Sequence, residues 1–484
     1  MSLARGLLVL LLALLAGCGK PVQPQAIRFA IAQAPLNLDP RYATDAASER
    51  LNRLIYRPLA DFDAASRAVP ALATWQALSL RRYRFSLGRE GRVFHDGTPL
   101  TAQDVVATYQ SLLALKDAPH RAEFANIAAV QALDEHRVEF ILNDPDPEFP
   151  SRLIIGILPA RLIAAGHDFS RHPVGSGPLR LLSWNQRLRL QRVTDGQEFR
   201  IEEVRDPTVR VLKLLRGEAD LLQGDLPPEL VAYLQRQPAV TVLQSAGTNY
   251  AYLGFNLRDP QLQDIRVRRA VALSIDRAAM LRHALVGGSR PATAVLPAEH
   301  WAGNAALAAL PHDPERARAL LREAGVALPL QLTLKTSTDA QRLRLATILQ
   351  AQLREAGIAL EIRSLDWGTF FDDVKHGKFQ LYGLTWVGIR TPEIYRFAFH
   401  SAAVPPAGAN RGGLRDATLD ALIEARDWPA ATARIHALLP VVPLWYEGQF
   451  AAMRRDITGY RPAPDGNWDG LITAGRGDAA GTGP

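Results

Sequence analysis

The spacing of hydrophobic and polar residues predicts that strands and helices follow one another along this chain. Residues 27–31 alternate as a half-buried strand does, and residues 45–56 place their apolar side chains on one face of a helix. Tyr83, Phe85 and Leu87 alternate with polar neighbours, which predicts a further strand. Globular structure therefore begins near residue 27.

The pattern that follows predicts a small α+β module. Thr101 and Asp104 have the spacing of a capping box at the start of a helix. Strand-like runs at residues 130–133 and 138–142 flank a turn, and a second ribbon occupies residues 177–190. One helix and two hairpins thus make up this part of the chain.

From residue 206 onward, helical and strand patterns alternate regularly. Asp313 is a suitable N-cap, Pro314 suits the first helical position, and Gly325 stands where a helix ends. Such alternation indicates two α/β lobes built on mixed or parallel sheets, and a cleft between two lobes is a common ligand site. The predicted helices are 207–216, 228–235 and 339–356, and the predicted strands are 219–222, 240–243, 250–257, 330–335, 358–362 and 379–384.

The N-terminal residues have the features of an export signal. Arg5 precedes an uncharged apolar run at residues 6–17, which is shorter than the roughly 20 residues that a membrane-spanning helix needs. Residues 15–18 (Leu-Ala-Gly-Cys) resemble a bacterial lipobox, so we expect cleavage before Cys18 and a lipid on its thiol. An ordinary signal peptide with an incidental cysteine is the alternative. Cys18 is the only cysteine of the chain, which excludes an internal disulfide.

Composition, charge and motifs argue against several classes of function. The formal net charge of +7 is spread along an arginine-rich chain without a basic, aromatic-containing stripe, so we expect no nucleic-acid binding. Residues 175–177 (Gly-Ser-Gly) lack the spacing of a nucleophile elbow, and no other enzyme motif is present. His95 and Asp96 are interpreted as a turn, and residues 144–148 (Asp-Pro-Asp-Pro-Glu) as a solvated turn rather than a calcium loop. We therefore expect no catalysis, no cofactor and no metal.

Five segments together resemble one protein family. On these segments the mature sequence resembles, along nearly its whole length, the extracytoplasmic solute-binding proteins of ABC transporters in family 5, the dipeptide- and oligopeptide-binding proteins. The segments are residues 37–59 (NLDPRYATDAASERLNRLIYRPL), 94–112 (FHDGTPLTAQDVVATYQSL), 172–184 (HPVGSGPLRLLSW), 252–277 (YLGFNLRDPQLQDIRVRRAVALSIDR) and 441–448 (VVPLWYEG).

The resemblance implies the α/β type II periplasmic-binding fold, with two α/β lobes, a hinge and an inserted α+β domain. Ligand would be captured between domains I and III as they close about crossings near residues 248–250 and 439–444. A shortened stretch between Asp420 and Pro443 would alter that hinge. The implied division is signal peptide 1–17, lipidated linker 18–26, domain I at 27–60, 175–248 and 443–484, domain II at 61–174, and domain III at 249–442.

The resemblance also implies ligand-binding positions. For the aromatic residues among them a place in the core is the alternative, and Arg411 is equally suited to anchor a loop. The positions are Tyr42 and Ala43 after an Asp-Pro loop, Tyr250 and Trp386 at strand ends, and Asn410 and Arg411 in a glycine-flanked loop.

One departure from the family concerns charge. In peptide-binding relatives an aspartate after the tryptophan pairs with the α-ammonium group of the ligand, whereas Ile389 and Arg390 stand at about that place here. A buried Arg390 would favour a carboxylate or phosphate over an ammonium group. The alternative is that Arg390 faces solvent.

From the resemblance we expect the lipid-anchored solute-binding component of a peptide-type ABC importer. As a monomer in the periplasm, it would capture a small peptide or peptide-like solute, an anionic one included, and deliver it to a permease served by ATPase subunits. We expect Cys18 to hold it at the outer face of the inner membrane rather than at the outer membrane. The alternatives are a sensor or chaperone of the same fold, a binding protein for an opine, sugar or metal complex, and a hydrolase, which the missing motifs disfavour.

Overall fold

A computed structural model describes residues 25–477, apart from Gln186 and Val286. The predicted signal peptide and the predicted lipidation site Cys18 lie outside the described residues. The strands are β1 Ile27–Ile31, β2 Ala60–Phe62, β3 Ala68–Pro70, β4 Ala73–Ser79, β5 Arg82–Leu87, β6 Ile127–Ala132, β7 Arg137–Leu142, β8 Leu179–Trp184, β9 Leu188–Arg192, β10 Glu198–Glu203, β11 Leu221–Gln223, β12 Val240–Phe255, β13 Arg290–Pro291, β14 Leu330–Ser337, β15 Ile358–Leu365, β16 Leu381–Trp386, β17 Val441–Arg454, β18 Ile457–Thr458 and β19 Gly475–Arg476.

Most helices begin at an aspartate whose side chain accepts a hydrogen bond from the first turn, as Asp45 and Asp313 do. The predicted capping box of Thr101 and Asp104 is confirmed. The α-helices are α1 Ala46–Ile55, α2 Ala102–Ala114, α3 Ala160–Ala164, α4 Pro207–Leu215, α5 Pro228–Gln235, α6 Ile265–Leu273, α7 Arg277–His283, α8 Pro314–Glu323, α9 Ala340–Glu355, α10 Trp367–Lys375, α11 Glu393–Phe399, α12 Ala417–Glu424 and α13 Trp428–Leu438, and short 3-10 helices span Pro119–Phe124, Phe149–Arg152 and Asp469–Ile472.

One large sheet runs through the molecule in the order β15-β14-β16-β12-β17-β11-β1-β10-β9-β8. The long strands β12 and β17 pair antiparallel at its centre. On one side of them β14 pairs parallel with β15 and β16, and on the other β1 pairs parallel with β10 and β11. We call the half with β1, β10 and β11 the first lobe and the half with β14, β15 and β16 the second lobe. The chain enters the second lobe through β12 and returns through β17.

Each lobe has its own hydrophobic core. Phe29 and Leu51 are buried in the first lobe, and Phe255 and Leu334 in the second. A third unit contains the antiparallel sheet β4-β5-β7-β6, against which α2 packs, with a core of buried residues between Leu59 and Ile157. None of the helices within the described ranges is long and apolar enough to cross a membrane.

The hydrophobic pattern was wrong about the strand that joins the lobes. Separate strands at residues 240–243 and 250–257 were predicted, but β12 is continuous. Its register with β17 shifts between Ser245 and Asn249, where a Cβ on Gly247 would lie 1.5 Å from the carbonyl oxygen of Glu447. Ser245 and Asn249 pair with β17 on either side of this shift, so backbone pairing keeps the strand continuous although the stretch lacks hydrophobic alternation.

Two turn predictions have different outcomes. His95 lies in a turn as predicted, with its Nε2 atom 3.0 Å from the carbonyl oxygen of Gly177. The solvated turn predicted for residues 144–148 is wrong at Asp146, which is buried. Its carboxylate accepts a hydrogen bond of 2.6 Å from Arg152, and this ion pair offsets the cost of burying the charge.

Candidate functional site

Tyr250 lies at the centre of the sheet, where the two lobes join. Strand β12 holds it between Trp386 on β16 and Tyr446 on β17. The side chain is buried, and burial raises its pKa well above the ordinary value for tyrosine. The Tyr250 hydroxyl is therefore neutral and belongs to the packed layer beneath the site.

Aromatic rings stack outward from Tyr250. The rings of Tyr250 and Tyr252 are 5.6 Å apart and nearly parallel, and those of Tyr252 and Trp386 are 6.5 Å apart at 13°. Trp386, which is only partly buried, also meets the edge of Phe397. Sequence reasoning missed Tyr252, although side chains two apart on a strand share a face, so Tyr250 predicts it.

Asn410 and Arg411 hold different positions within one loop. The Asn410 side chain donates hydrogen bonds to the carbonyl oxygens of His400 and Leu414 and accepts one from the Leu414 amide, so it orders the loop itself. The Arg411 guanidinium lies 4.9 Å from the ring centroid of Trp386 and donates a hydrogen bond of 2.8 Å to the hydroxyl of Tyr252. Arg411 thus joins the aromatic stack directly.

These four predicted residues meet at one small cavity of about 20 Å³ between β12, β16 and the loop at residues 409–412. We call it the Arg411 crevice. Tyr382, which sequence reasoning missed, also lines it, four residues before Trp386 on the same strand face. The residues that line the crevice include Tyr250, Tyr252, Tyr382, Trp386, Asn410 and Arg411.

Tyr42 and Ala43 lie elsewhere, against the third unit. The Tyr42 hydroxyl donates a hydrogen bond of 3.1 Å to Asp117. The carbonyl oxygen of Ala43 accepts one of 2.6 Å from His120, and the Ala43 side chain is buried. Neither residue lines the Arg411 crevice.

Arg390 is paired with acidic side chains of the protein. Its guanidinium forms an ion pair with Asp465, lies 3.8 Å from Asp61 and packs over the ring of Phe62. The sequence suggested either a buried Arg390 that is free to bind an anion or an Arg390 that faces solvent. Neither is observed, because the side chain is only 19% exposed and has acidic partners. In this conformation Arg390 offers a solute no free positive charge.

The partners of Arg390 belong to a larger network. Asp61 also pairs with Arg53 at 2.9 Å, and Arg53 reaches Asp469 at 3.1 Å. Burial lowers the pKa of Arg53, but the hydrogen bond to Asp61 and the charge of Asp469 outweigh this and raise it above the usual value. We call Arg53, Asp61, Arg390, Asp465 and Asp469 the Arg390 network. Its three carboxylates and two guanidinium groups leave an excess of negative charge.

A larger cleft lies beside Arg390. It has a volume of about 480 Å³ and is lined by residues of the loop after β16 and of α11. Phe397 lines this cleft and touches Trp386 of the Arg411 crevice, so the two cavities are neighbours. Within residues 25–477 as described, no group of three His, Cys, Asp or Glu side chains could hold a metal ion.

The chain is similar over nearly its full length to curated binding proteins. It is 28% identical to di/tripeptide-binding protein 2 of Pseudomonas aeruginosa strain UCBPP-PA14, in an alignment that covers 94% of this chain and 96% of the relative. The related proteins are binding proteins of transporters rather than enzymes.

Solved structures show the same fold. The ABC transporter substrate-binding protein CtaP of Listeria monocytogenes superimposes with a TM-score of 0.83 at 22% identity, over 94% of this chain and 99% of that one. The oligopeptide-binding protein AppA of Bacillus subtilis, solved with a nonapeptide, gives 0.75 at 21% identity, over 95% and 100%. The predicted α/β periplasmic-binding fold is therefore confirmed. Residues 67–403 match the bacterial extracellular solute-binding proteins, family 5 Middle, and the chain belongs to this family.

Proposed function

We propose that this protein is the solute-binding component of a peptide-type ABC importer. It captures a small peptide or peptide-like solute between its two lobes and delivers it to a membrane permease, whose ATPase subunits supply the energy. The protein itself binds non-covalently and acts as a monomer in the periplasm.

The observation that carries this proposal is the way in which the lobes are joined. The paired strands β12 and β17 connect two separate cores, and ion pairs such as Arg390 with Asp465 and Arg344 with Glu229 join the lobes across the space between them. A solute stabilises such a closed arrangement only through contacts that the open arrangement lacks.

The names of the relatives support a peptide as the solute. Di/tripeptide-binding protein 2 and the AppA structure are named for peptide ligands, and both align with almost all of this chain. We also propose the domain division 27–60, 175–248 and 443–484 for domain I, 61–174 for domain II and 249–442 for domain III. We also infer that a lipid on Cys18 tethers the protein to the membrane that holds the permease, which raises its effective concentration there.

Mass spectrometry of the purified protein tests the proposal. Protein isolated from its periplasm is denatured, and the released small molecules are identified and then added back to ligand-free protein. We expect discrete peptides that bind again and decrease the radius of gyration in X-ray scattering. A protein that releases nothing and binds no peptide pool would contradict the proposal and favour a sensor or chaperone.

A matched pair of variants locates the site. Trp386→Ala removes a partly buried ring beside the Arg411 crevice, and we expect it to weaken peptide binding by at least about tenfold. Trp184→Ala is the control, because Trp184 is also partly buried but lies on β8 at the far edge of the sheet. Equal effects of the two substitutions would place the site elsewhere.

A further inference from the structure

The described chain begins at one end of the first lobe. The carbonyl oxygen of Gln25 accepts a hydrogen bond of 3.1 Å from the side chain of Gln197, and that of Ala26 accepts one of 3.3 Å from Arg476. Strand β1 follows at once, with Ile27 paired to Phe199 near the start of β10. Residue 25 is therefore held at the edge of the sheet where β1 and β10 begin.

Several loops meet at this edge. Strand β12 starts here, where Val240 pairs with Arg454 at the end of β17. The backbone N–H of Arg454 donates a hydrogen bond of 3.0 Å to Asp220, and that of Arg455 donates one of 3.2 Å to Ala239. Because β12 runs from this edge into the second lobe, the edge is the end of the first lobe that is remote from the second. We call its surface, formed by residues 25–28, 192–197, 216–220, 236–239, 454–456 and 476–477, the basal face.

Arginines outnumber carboxylates on the basal face. Asp220 is fully buried and pairs with Arg28 at 2.7 Å and with Arg476 at 2.8 Å, so two arginines share one carboxylate. The face therefore carries an excess of positive charge. Its arginines are Arg28, Arg192, Arg216, Arg236, Arg454, Arg455 and Arg476, and its carboxylates are Asp195, Glu218, Asp220 and Asp456.

Three of these arginines are exposed and have no ion-pair partner among the described residues. Arg216 and Arg236 directly follow α4 and α5, and Arg455 lies in the turn after β17. A cation at the end of a helix is stabilised by the helix dipole, yet such a side chain still reaches into solvent. The three guanidinium groups are thus available to an external anion.

Only a short stretch of chain separates the basal face from the predicted lipidation site. Residues 18–24 are seven in number, and a fully extended chain of this length spans at most about 25 Å. The stretch contains Lys20 and no acidic residue. A lipid on Cys18 would therefore keep the basal face within about 25 Å of the bilayer.

We propose that the basal face binds the anionic headgroups of the lipid bilayer through Arg216, Arg236 and Arg455. Anionic headgroups attract nearby arginines, and salt limits this attraction to a Debye length of about 8 Å at physiological ionic strength. Three charges bind weakly by themselves, so the face orients a protein that the lipid holds. The first lobe then rests on the bilayer, and the second lobe is free to open and close. This inference goes beyond solute capture and uses the proposed tether only to place the bilayer.

Vesicle binding tests the surface. The mature chain from residue 18 carries Cys18→Ala, so that no lipid anchors it, and retains every described residue. It is sedimented with vesicles of phosphatidylcholine alone or of equal parts phosphatidylcholine and phosphatidylglycerol. At low salt we expect binding to the anionic vesicles to be at least about tenfold tighter, and added salt should abolish this difference.

Two matched triple variants identify the part of the protein that binds. The first, which should weaken binding to anionic vesicles at least about tenfold, combines Arg216→Gln, Arg236→Gln and Arg455→Gln. The control lowers the net charge equally at exposed arginines elsewhere, two of them in the last turns of α8 and α9, and combines Arg89→Gln, Arg322→Gln and Arg354→Gln. We expect the control to weaken binding by about threefold or less.

Energy transfer to a labelled lipid measures the orientation. In the Cys18→Ala chain, Val193→Cys places a single fluorophore on the basal face, where Val193 is 54% exposed. Ala327→Cys places it directly before β14, at the end of the second lobe where β12 also ends. We expect stronger transfer from residue 193 in anionic vesicles. This measurement needs no arginine variant, so it decides the question even if the first triple variant does not fold.

Three results overturn the inference. They are equal binding to the two kinds of vesicle at low salt, equal weakening by the two triple variants, and transfer from residue 327 as strong as that from residue 193. Each of them leaves the proposed function intact, because peptide capture is measured without vesicles. Loss of peptide capture with undiminished vesicle binding would instead contradict the proposed function and support the basal face.

Discussion

Arg390 and Asp465 form an ion pair that joins the loop after β16 in the second lobe to the C-terminal segment of the first. Asp61, 3.8 Å from Arg390, adds a second carboxylate from another part of the chain. This contact brings together residues that are remote in sequence and closes one side of the space between the lobes.

We expect Arg390→Gln to loosen that closure. Asp465 would lose its charged partner, whereas Asp61 would keep Arg53. Because Arg390 is partly exposed, the free energy of unfolding should fall by only about 1 kcal/mol. X-ray scattering of the unliganded protein at low salt should show a larger radius of gyration than for the wild type.

Arg396→Gln is the control for this prediction. Arg396 lines the same cleft and is exposed, and the described residues contain no ion-pair partner for it. Its substitution should leave the radius of gyration unchanged. If Arg390→Gln behaves in the same way as Arg396→Gln, the ion pair with Asp465 does not hold the lobes together.

Stability should fall as the pH rises above neutral, because of His120. Its hydrogen bond to Glu123 raises its pKa to about 9; burial opposes this shift, and the carbonyl oxygen of Ala43 supports it. A raised folded-state pKa contributes stability that is complete below about pH 6.5 and is lost as the pH passes 9. Allowing for solvent screening, we expect a loss of about 1 kcal/mol in urea unfolding over this range.

The substitution His120→Gln should remove this part of the pH dependence. His376→Gln serves as the control, since His376 is exposed directly after α10 and, among the described residues, pairs only with Asp372 of that helix. If the free energy of unfolding depends on pH in the same way in the wild type and in His120→Gln, His120 does not contribute to this pH dependence.

Gly247→Ala should disrupt the strand pair that joins the lobes. The added Cβ would lie 1.5 Å from the carbonyl oxygen of Glu447, and two backbones cannot separate there without breaking neighbouring hydrogen bonds of β12 and β17. We expect a loss of about 2 kcal/mol or more in the free energy of unfolding. Gly383→Ala on β16 is the control, because nothing lies within 4 Å of its added Cβ. Similar losses for both variants would contradict the close approach at Gly247.

Cys18→Ala should release the protein from the membrane. Without the thiol no thioether-linked lipid can form, so the protein should move from the membrane pellet to the soluble fraction after cell lysis. Intact-mass spectrometry of the wild type should show the added lipid on a chain that begins at Cys18. A wild type that is already soluble and carries no added mass would favour the ordinary signal peptide.

The sequence by itself determined most of the local structure. The start of α8 could be predicted because Asp313 and Pro314 act on their own helix turn, and β1 because Ile27, Phe29 and Ile31 alternate toward one hydrophobic core. The family could also be recognised from the sequence, because each of the five segments that resemble it is an uninterrupted stretch of the chain. Of the two aromatic residues expected at strand ends, Trp386 is the last residue of β16, but Tyr250 lies inside β12.

Only the tertiary structure decided what surrounds each charge. Arg390 and Arg411 look alike in sequence, but the fold places Asp465 beside the first and the ring of Trp386 beside the second. Ion pairs between residues so far apart leave no periodic signal, because any acidic residue along the chain could supply the partner. The sequence also did not reveal that β12 is continuous. Its middle stretch is kept in the sheet by pairing with the distant strand β17 and lacks the hydrophobic alternation by which a strand is recognised.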